Sequence, residues 1–253
     1  MTTTFLNRLL RYTLTDISIM LAAVFLPVAV YLGVTFDTGQ WNTPAGPVAN
    51  LHFIVAMSIA LYGTATVAAN EGATITAERD TNWLRAIALT RLGMNRYIAV
   101  KLLITLVVSV VPILAIAAIS PLRGAEAPVS MWFAVGTCCL VGAVIFGLFG
   151  LMMGLWFSGS TVTRYMGLIM MLIAFMGNLF LPLEGMLLDL ARFTPMFGPG
   201  MLTRSVIWYL SPGTGGGADN QLFPLWQLIL NMGAWTLIFV ALAWLGHRRG
   251  LRR

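Results

Sequence analysis

Residues 98–119 read IAVKLLITLVVSVVPILAIAAI. One lysine sits near the start, and everything after it is apolar, small or hydroxylic. A helix needs about 20 such residues to cross the hydrocarbon core of a bilayer. Helices suit that solvent because they satisfy their own backbone polar groups. The run therefore predicts a membrane-spanning helix, and the rest of the chain is read outward from it. Five further stretches have the same character: residues 17–36, 49–69, 131–157, 165–183 and 223–245. Breakers separate most of them, with Pro44 and Pro47, then Pro121 and Pro128, then Pro212 and its following glycines. The run at 131–157 is longer than a span requires, so it should tilt or project.

Composition agrees. The chain has 253 residues, 58% hydrophobic and 9% charged, where soluble domains carry about a quarter charged residues. The expected fold class is an all-α integral membrane protein with six transmembrane helices in a single domain over 1–253. Cys138 and Cys139 are adjacent inside an apolar run and read as small buried hydrophobes. The net charge of +6 lies between spans, where it acts as a topology signal and not as a nucleic-acid footprint. Six spans put both termini on one side. That side collects 12 of the 15 basic residues, leaving Arg123, Arg192 and Arg204 opposite. Both termini are thus expected in the cytoplasm. Arg8 and Arg11 precede an apolar run, but no small-residue cleavage site follows, so the run reads as a span.

Three stretches are neither plain spans nor plain loops. Residues 5–14 place Phe5, Leu6, Leu9, Leu10 and Tyr12 on one helical face and Asn7, Arg8 and Arg11 on the other. This predicts an amphipathic helix in the interface, acting as an anchor or as an elbow against a partner. The cytoplasmic stretch after the second span holds Glu71, Glu78, Arg79, Asp80, Arg85, Arg91 and Arg96. Trp83, Leu84, Ile87 and Ala88 fall on one side of a helix there, with Glu78, Asn82 and Arg85 on the other. Such a helix suits docking between a bundle and a second protein, or is a solvated loop helix. Residues 181–210, LPLEGMLLDLARFTPMFGPGMLTRSVIWYL, are too apolar for a solvated loop and too broken for a span. They predict a re-entrant outer segment at 184–210.

Chemistry is conspicuous by its scarcity. There is no G-x-x-x-x-G-K-[ST] phosphate loop, no H-E-x-x-H and no G-x-S-x-G elbow. Almost no ionisable residue falls mid-span; Asp16, Glu71 and Lys101 lie close to span ends. That pattern argues against ion-coupled transport and against a charged channel filter. Polar residues within spans are mild and include His52, Ser58, Tyr62, Thr64, Thr66, Asn178 and Asn231. Each either makes interhelical hydrogen bonds, worth about 0.6 kcal/mol, or touches a transported molecule. Gly142, Gly147, Gly150 and Gly154 predict close helix packing.

In this order along the chain, the features resemble permease subunits of ABC exporters of the type-two class, which export drugs, antibiotics, peptides and polymers. The resemblance covers essentially the whole chain. Its most specific segment is AERDTNWLRAIALTRL at residues 77–92, similar to the family's coupling helix, although Arg91 stands where relatives commonly have proline. A second match runs from Gly177 to Pro195, where the family has a re-entrant outer segment. The resemblance implies that Glu78, Arg79, Trp83, Leu84 and Arg85 face or support an ATPase. It implies an outer gate around Pro182, Glu184 and Pro195. It places a pathway near the second and fifth spans, with Tyr62, Thr66 and Asn178 as candidate lining. No enzyme activity or cofactor is expected of this chain; ATP and Mg would sit on two copies of an ABC ATPase subunit. A second permease, identical or related, would complete the complex in a bacterial plasma membrane. The substrate class that suits short loops is an amphipathic drug, antibiotic or small peptide, implying a multidrug or antibiotic-resistance role. A non-transporting scaffold holding a cytoplasmic partner is the competing expectation.

Overall fold

The structure, a computed structural model, describes residues 17–36, 41–44, 48–80, 93–157, 159–180, 183–209 and 223–250. Among these residues it is helical with no strands. The helices are α1 (Ile17–Val34), α2 (Leu51–Ala73), α3 (Ile75–Asp80), α4 (Gly93–Ile119), α5 (Val129–Trp156), α6 (Gly159–Met176), α7 (Gly185–Ala191), α8 (Phe197–Tyr209) and α9 (Leu225–Gly250). Four stretches are long and apolar enough to cross a membrane: Leu51–Glu78, Arg96–Arg123, Val129–Trp156 and Leu225–Arg248. The protein is therefore a membrane-embedded helical protein.

The α2 helix is the axis of the bundle. Of its apolar window 83% is buried, against 22% for α9. The cause is small side chains on both α2 and α5. A Cβ on Gly150 would collide with the backbone carbonyl of Ala69, and one on Gly72 with that of Gly147. One on Gly154 would lie 2.9 Å from the carbonyl oxygen of Ala73. The two backbones touch, as interfaces of small residues permit in lipid, where water does not drive helices together. On the other side of α2, Gly63 receives two in-helix prolines. Pro27 of α1 and Pro112 of α4 would lie 2.6 and 3.1 Å from a Cβ there.

Contacts along the helices fix their directions. Phe53 packs on Trp132 near the starts of α2 and α5, and Gly154 meets Ile75 and Ala73 near their ends. Phe149 packs on Phe239, and Trp156 Nε1 donates to the carbonyl oxygen of Leu242 at 2.7 Å. Thus α2, α5 and α9 run parallel. Thr64 bonds the carbonyl of Ser109, and Lys101 reaches Thr74, so α4 runs against α2. At one end Asn50 caps α2 and ties it to the turn after α4, accepting from Phe53 N and Glu126 N and donating to the Gly124 carbonyl.

The α6 helix differs from the expected span at 165–183. It starts earlier, at Gly159, and stops at Met176. Asn178 takes a left-handed conformation with φ 60°. Its N–H bonds the Phe175 carbonyl, and the Leu179 N–H bonds that of Ala174 at 3.1 Å. This is a Schellman turn with asparagine in the usual glycine position. Val162, Met166, Met170 and Ala174 form the buried seam of α6, while Leu168, Met171, Leu172 and Phe175 are exposed.

Backbone contact between α2 and α5 yields a direct prediction. Gly150→Leu should cost at least about 3 kcal/mol, because backbones must separate to admit it. Gly233→Leu, where a Cβ meets nothing within 4 Å, should be near neutral. Thermal unfolding in detergent checks this, and equal midpoints for the two variants would refute the close contact.

Candidate functional site

Two polar assemblies occupy opposite ends of the bundle. The first lies where α2 gives way to α3. Glu78 of α3 uses both carboxylate oxygens: Lys101 Nζ sits 2.8 Å from Oε1, and the Tyr97 hydroxyl donates to Oε2. Lys101 also donates to Thr74 Oγ1 at 2.6 Å, and Thr74 Oγ1 donates to the Glu71 carbonyl at 2.8 Å. Glu71 is buried one helical turn earlier, within electrostatic reach of Lys101 and Glu78. Ile75 wedges against Gly154 of α5. So α3 is bolted through Glu78 to α4 and through Ile75 to α5. Lys101, the chain's one lysine, is 8% exposed and Glu78 is 23% exposed. A pair this enclosed is costly to break from one side.

The second assembly is the α7–α8 hairpin. The start of α8 reaches into the bundle. Pro199 Cβ would lie 3.5 Å from a Cβ on Gly142, thirteen residues into α5, roughly 20 Å along that helix. One side chain of α9 holds the hairpin there. Asn231 donates to the carbonyls of Arg192 and Thr194 at 2.8 and 3.1 Å and accepts from Gly198 N at 3.2 Å. Trp235 Nε1 adds a bond to the Phe193 carbonyl at 3.0 Å. Arg192 pairs with Asp189 and lies over the Phe223 ring. From α8, Arg204 Nη2 donates to the Leu179 carbonyl at 2.6 Å, gripping the turn that ends α6. Burial lowers the Arg204 pKa to about 10, which still leaves it cationic at neutral pH.

The sequence-derived residues divide between these places. Glu78 is the internal pin of α3, so it supports that element from behind. Arg79 is the penultimate residue of α3, with its side chain outside the described residues, as are Trp83, Leu84 and Arg85. Phe5, Arg8, Leu9, Arg11 and Pro182 also lie outside them. Glu184 is exposed at the start of α7, and Pro195 is half-buried in the hairpin turn. Tyr62 and Asn178 come together at the end of α6: the Tyr62 ring packs edge-on against Phe180 at 5.2 Å, and Asn178 Oδ1 accepts from Leu183 N at 2.8 Å. Thr66 sits one turn further along α2. All three are buried inside the bundle. Lys101, Tyr97, Thr74 and Arg204 were not among the expected site residues. The pairing of a single lysine in an apolar span with a glutamate before the next loop was the available signal for the first.

Comparison of the sequence with known protein families and with characterised proteins finds no match. The fold and the two assemblies therefore define a class only, a polytopic helical membrane protein with a pinned loop helix at one end and an inserted hairpin at the other.

Charge bookkeeping at the first assembly can be tested. Lys101→Met should cost about 2 kcal/mol, below the range for a fully buried pair because Glu78 is partly exposed. Adding Glu78→Gln should recover much of that loss. A double variant no more stable than Lys101→Met alone would show that the two residues do not act as a pair.

Proposed function

We propose that this chain is the permease subunit of an ATP-driven ABC exporter, moving an amphipathic drug, antibiotic or small peptide out of the cell. The observation that carries the reading is the pinning of α3. A docking element can drive a bundle only if it is rigidly joined to it. Glu78, Lys101, Tyr97 and Ile75 make that joint, at the start of the segment that resembles a coupling helix. In this reading Arg79, Trp83, Leu84 and Arg85 meet the ATPase, and Glu78 passes their displacement to α4.

The four long spans are completed by α1 and α6. Each helix has 18 residues, roughly 27 Å, with shorter apolar parts at Ala23–Val34 and Arg164–Met176. Six crossings with cytoplasmic termini put α3 inside and the α7–α8 hairpin outside, as the charge asymmetry requires. The hairpin, with Glu184 and Pro195, would then be the re-entrant outer gate. Its non-helical backbone is bonded by Asn231 and Trp235 of α9, and a bilayer tolerates such backbone where its polar groups are satisfied by protein. The exposed apolar faces of α1 and α6, with Phe25, Leu26, Leu172 and Phe175, would face a second permease. Tyr62, Thr66 and Asn178 are enclosed in this conformation, so α6 and the hairpin must move for them to meet a passenger. ATP and Mg would bind two copies of a separate ATPase, whose closure supplies the differential free energy that shifts the bundle between states.

Burial of those three residues is also what a non-transporting scaffold would show, and one experiment separates the readings. The tagged chain is purified in mild detergent, its partners are identified by mass spectrometry, and nucleotide hydrolysis is assayed. An exporter brings down a stoichiometric ATPase whose activity in liposomes falls severalfold with Trp83→Ala or Arg85→Glu, while the permease still folds. A partner without nucleotide hydrolysis, or ATPase activity indifferent to both substitutions, overturns the proposal.

A further inference from the structure

The joint between α3 and α4 brings two carboxyl groups to one ammonium. Glu78 takes Lys101 Nζ at 2.8 Å. Glu71 lies two helical turns before Glu78 and is 9% exposed. Among the described residues its carboxyl group makes no hydrogen bond and no ion pair. It is nevertheless coupled electrostatically to Lys101, Glu78 and Tyr97. Its backbone carbonyl accepts from Thr74 Oγ1, the same atom that accepts from Lys101 Nζ. The ammonium is therefore two hydrogen bonds from the Glu71 backbone. An ammonium has three N–H donors. Thr74 and Glu78 take two. The third has no acceptor among the described residues, and the Tyr97 ring lies 6.0 Å away. Lys101 thus keeps a spare donor beside a carboxyl group that has no partner.

The surroundings offer Glu71 no other counter-charge. Within the helices packed on α2, α5 has no acid or base, and α1 has only Tyr31, at the far end beside His52. From α4 come Lys101 and Tyr97, with Arg96 exposed at its start. From α6 come Arg164 and Tyr165, both exposed. In α8, Arg204 is committed to the Leu179 carbonyl at the end of α6. The side chains of Arg79 and Asp80 in α3, with Asp16, Arg85 and Arg91, lie outside the described residues. Two ionised carboxylates would leave the joint one negative charge in excess of its ammonium. A buried, unpaired charge is costly, and a group so placed is neutralised instead. When two acids share one site, they do not both ionise freely.

We propose that Glu71 is a proton-binding site coupled to the seating of α3: it holds a proton while Lys101 is paired with Glu78, and it releases that proton to water and takes Lys101 itself when α3 lifts from α4. Glu78 is then left to the solvent. The seated joint binds one proton more than the opened joint, so acid favours seating and alkali favours opening. This is a property of the joint, and it holds whether or not the chain transports anything.

The test uses the full chain in a maltoside detergent, which has no carbonyl band of its own. Infrared spectroscopy at neutral pH reads a protonated carboxyl by its C=O stretch. Wild type minus Glu71→Gln should show one such band. Glu78→Gln frees Lys101 for Glu71, so the band should vanish from that variant as well, although Glu71 is still present. A Glu71 that merely fills space would not respond to Glu78. The comparison of wild type with Glu78→Gln carries the test if Glu71→Gln does not fold. Raising the pH should lower the hydrogen-exchange protection of the Thr74–Glu78 backbone by up to about tenfold per pH unit, beyond the chemical rate, as one proton is released. In Glu71→Gln that extra dependence should disappear. A wild type without a protonated carboxyl at neutral pH, a band unchanged by Glu71→Gln or by Glu78→Gln, or protection indifferent to pH overturns the proposal.

Discussion

Contact between the backbones of α2 and α5 is the constraint on which the rest of this structure depends. In lipid, apolar side chains gain nothing by leaving one hydrocarbon for another, so helices associate through close packing and polar bonds. Gly72, Gly147, Gly150 and Gly154 let two helices approach until carbonyls meet Cα atoms. Once α2 is held this closely, its remaining faces are free to take α1, α4, α6 and α8. Gly63 admits Pro27 and Pro112 together, so the two proline-bearing helices pack on the axis without a gap. The closest approach in the bundle is made by its smallest residues, and large side chains such as Phe53, Leu61 and Phe146 fill the core around it.

Polar side chains then supply position where packing supplies only proximity. At one end Glu78 and Lys101 join a short helix to the bundle. At the other, Asn231 satisfies two carbonyls and one N–H of the hairpin turn. Without Asn231 those groups would lack these protein partners. Asn231 and Trp235 therefore make the insertion of the hairpin possible, while its apolar face, with Leu188, Phe197 and Met201 packed on Phe223 and Leu228, makes it favourable.

Much of this was legible in the sequence, and the failures have physical causes. The long spans were visible because a bilayer demands a composition that soluble folds avoid. The glycines of α5 were visible for the same reason, since an apolar helix spends glycine mainly where something must come close. The end of α6 was not. Leu179, Phe180 and Leu183 continue the apolar run through a turn, because this turn is buried in protein and not in water. Hydropathy cannot separate a span from a turn in such surroundings; only Gly177–Asn178 marked the break. Asn231 was expected to make interhelical hydrogen bonds or to touch a transported molecule; its partners here are the backbone groups of Arg192, Thr194 and Gly198. Glu78 was read by position in a motif as touching or supporting a partner. Within this chain its carboxylate is taken up by Lys101 and Tyr97. Sequence position says which segment a residue belongs to, but not which way its charge is facing.

The solitary lysine has one more consequence. Lys101 is the chain's only side-chain amine, and it is enclosed with its ammonium committed to Glu78 and Thr74. Acylation requires an accessible amine, and the folded state encloses this one against Glu78 and Thr74. Side-chain modification by amine-directed reagents is thus a report on a single joint. It should be silent while α3 is seated on α4 and should appear only when that joint opens, so the protein carries a built-in chemical reporter of its own movement.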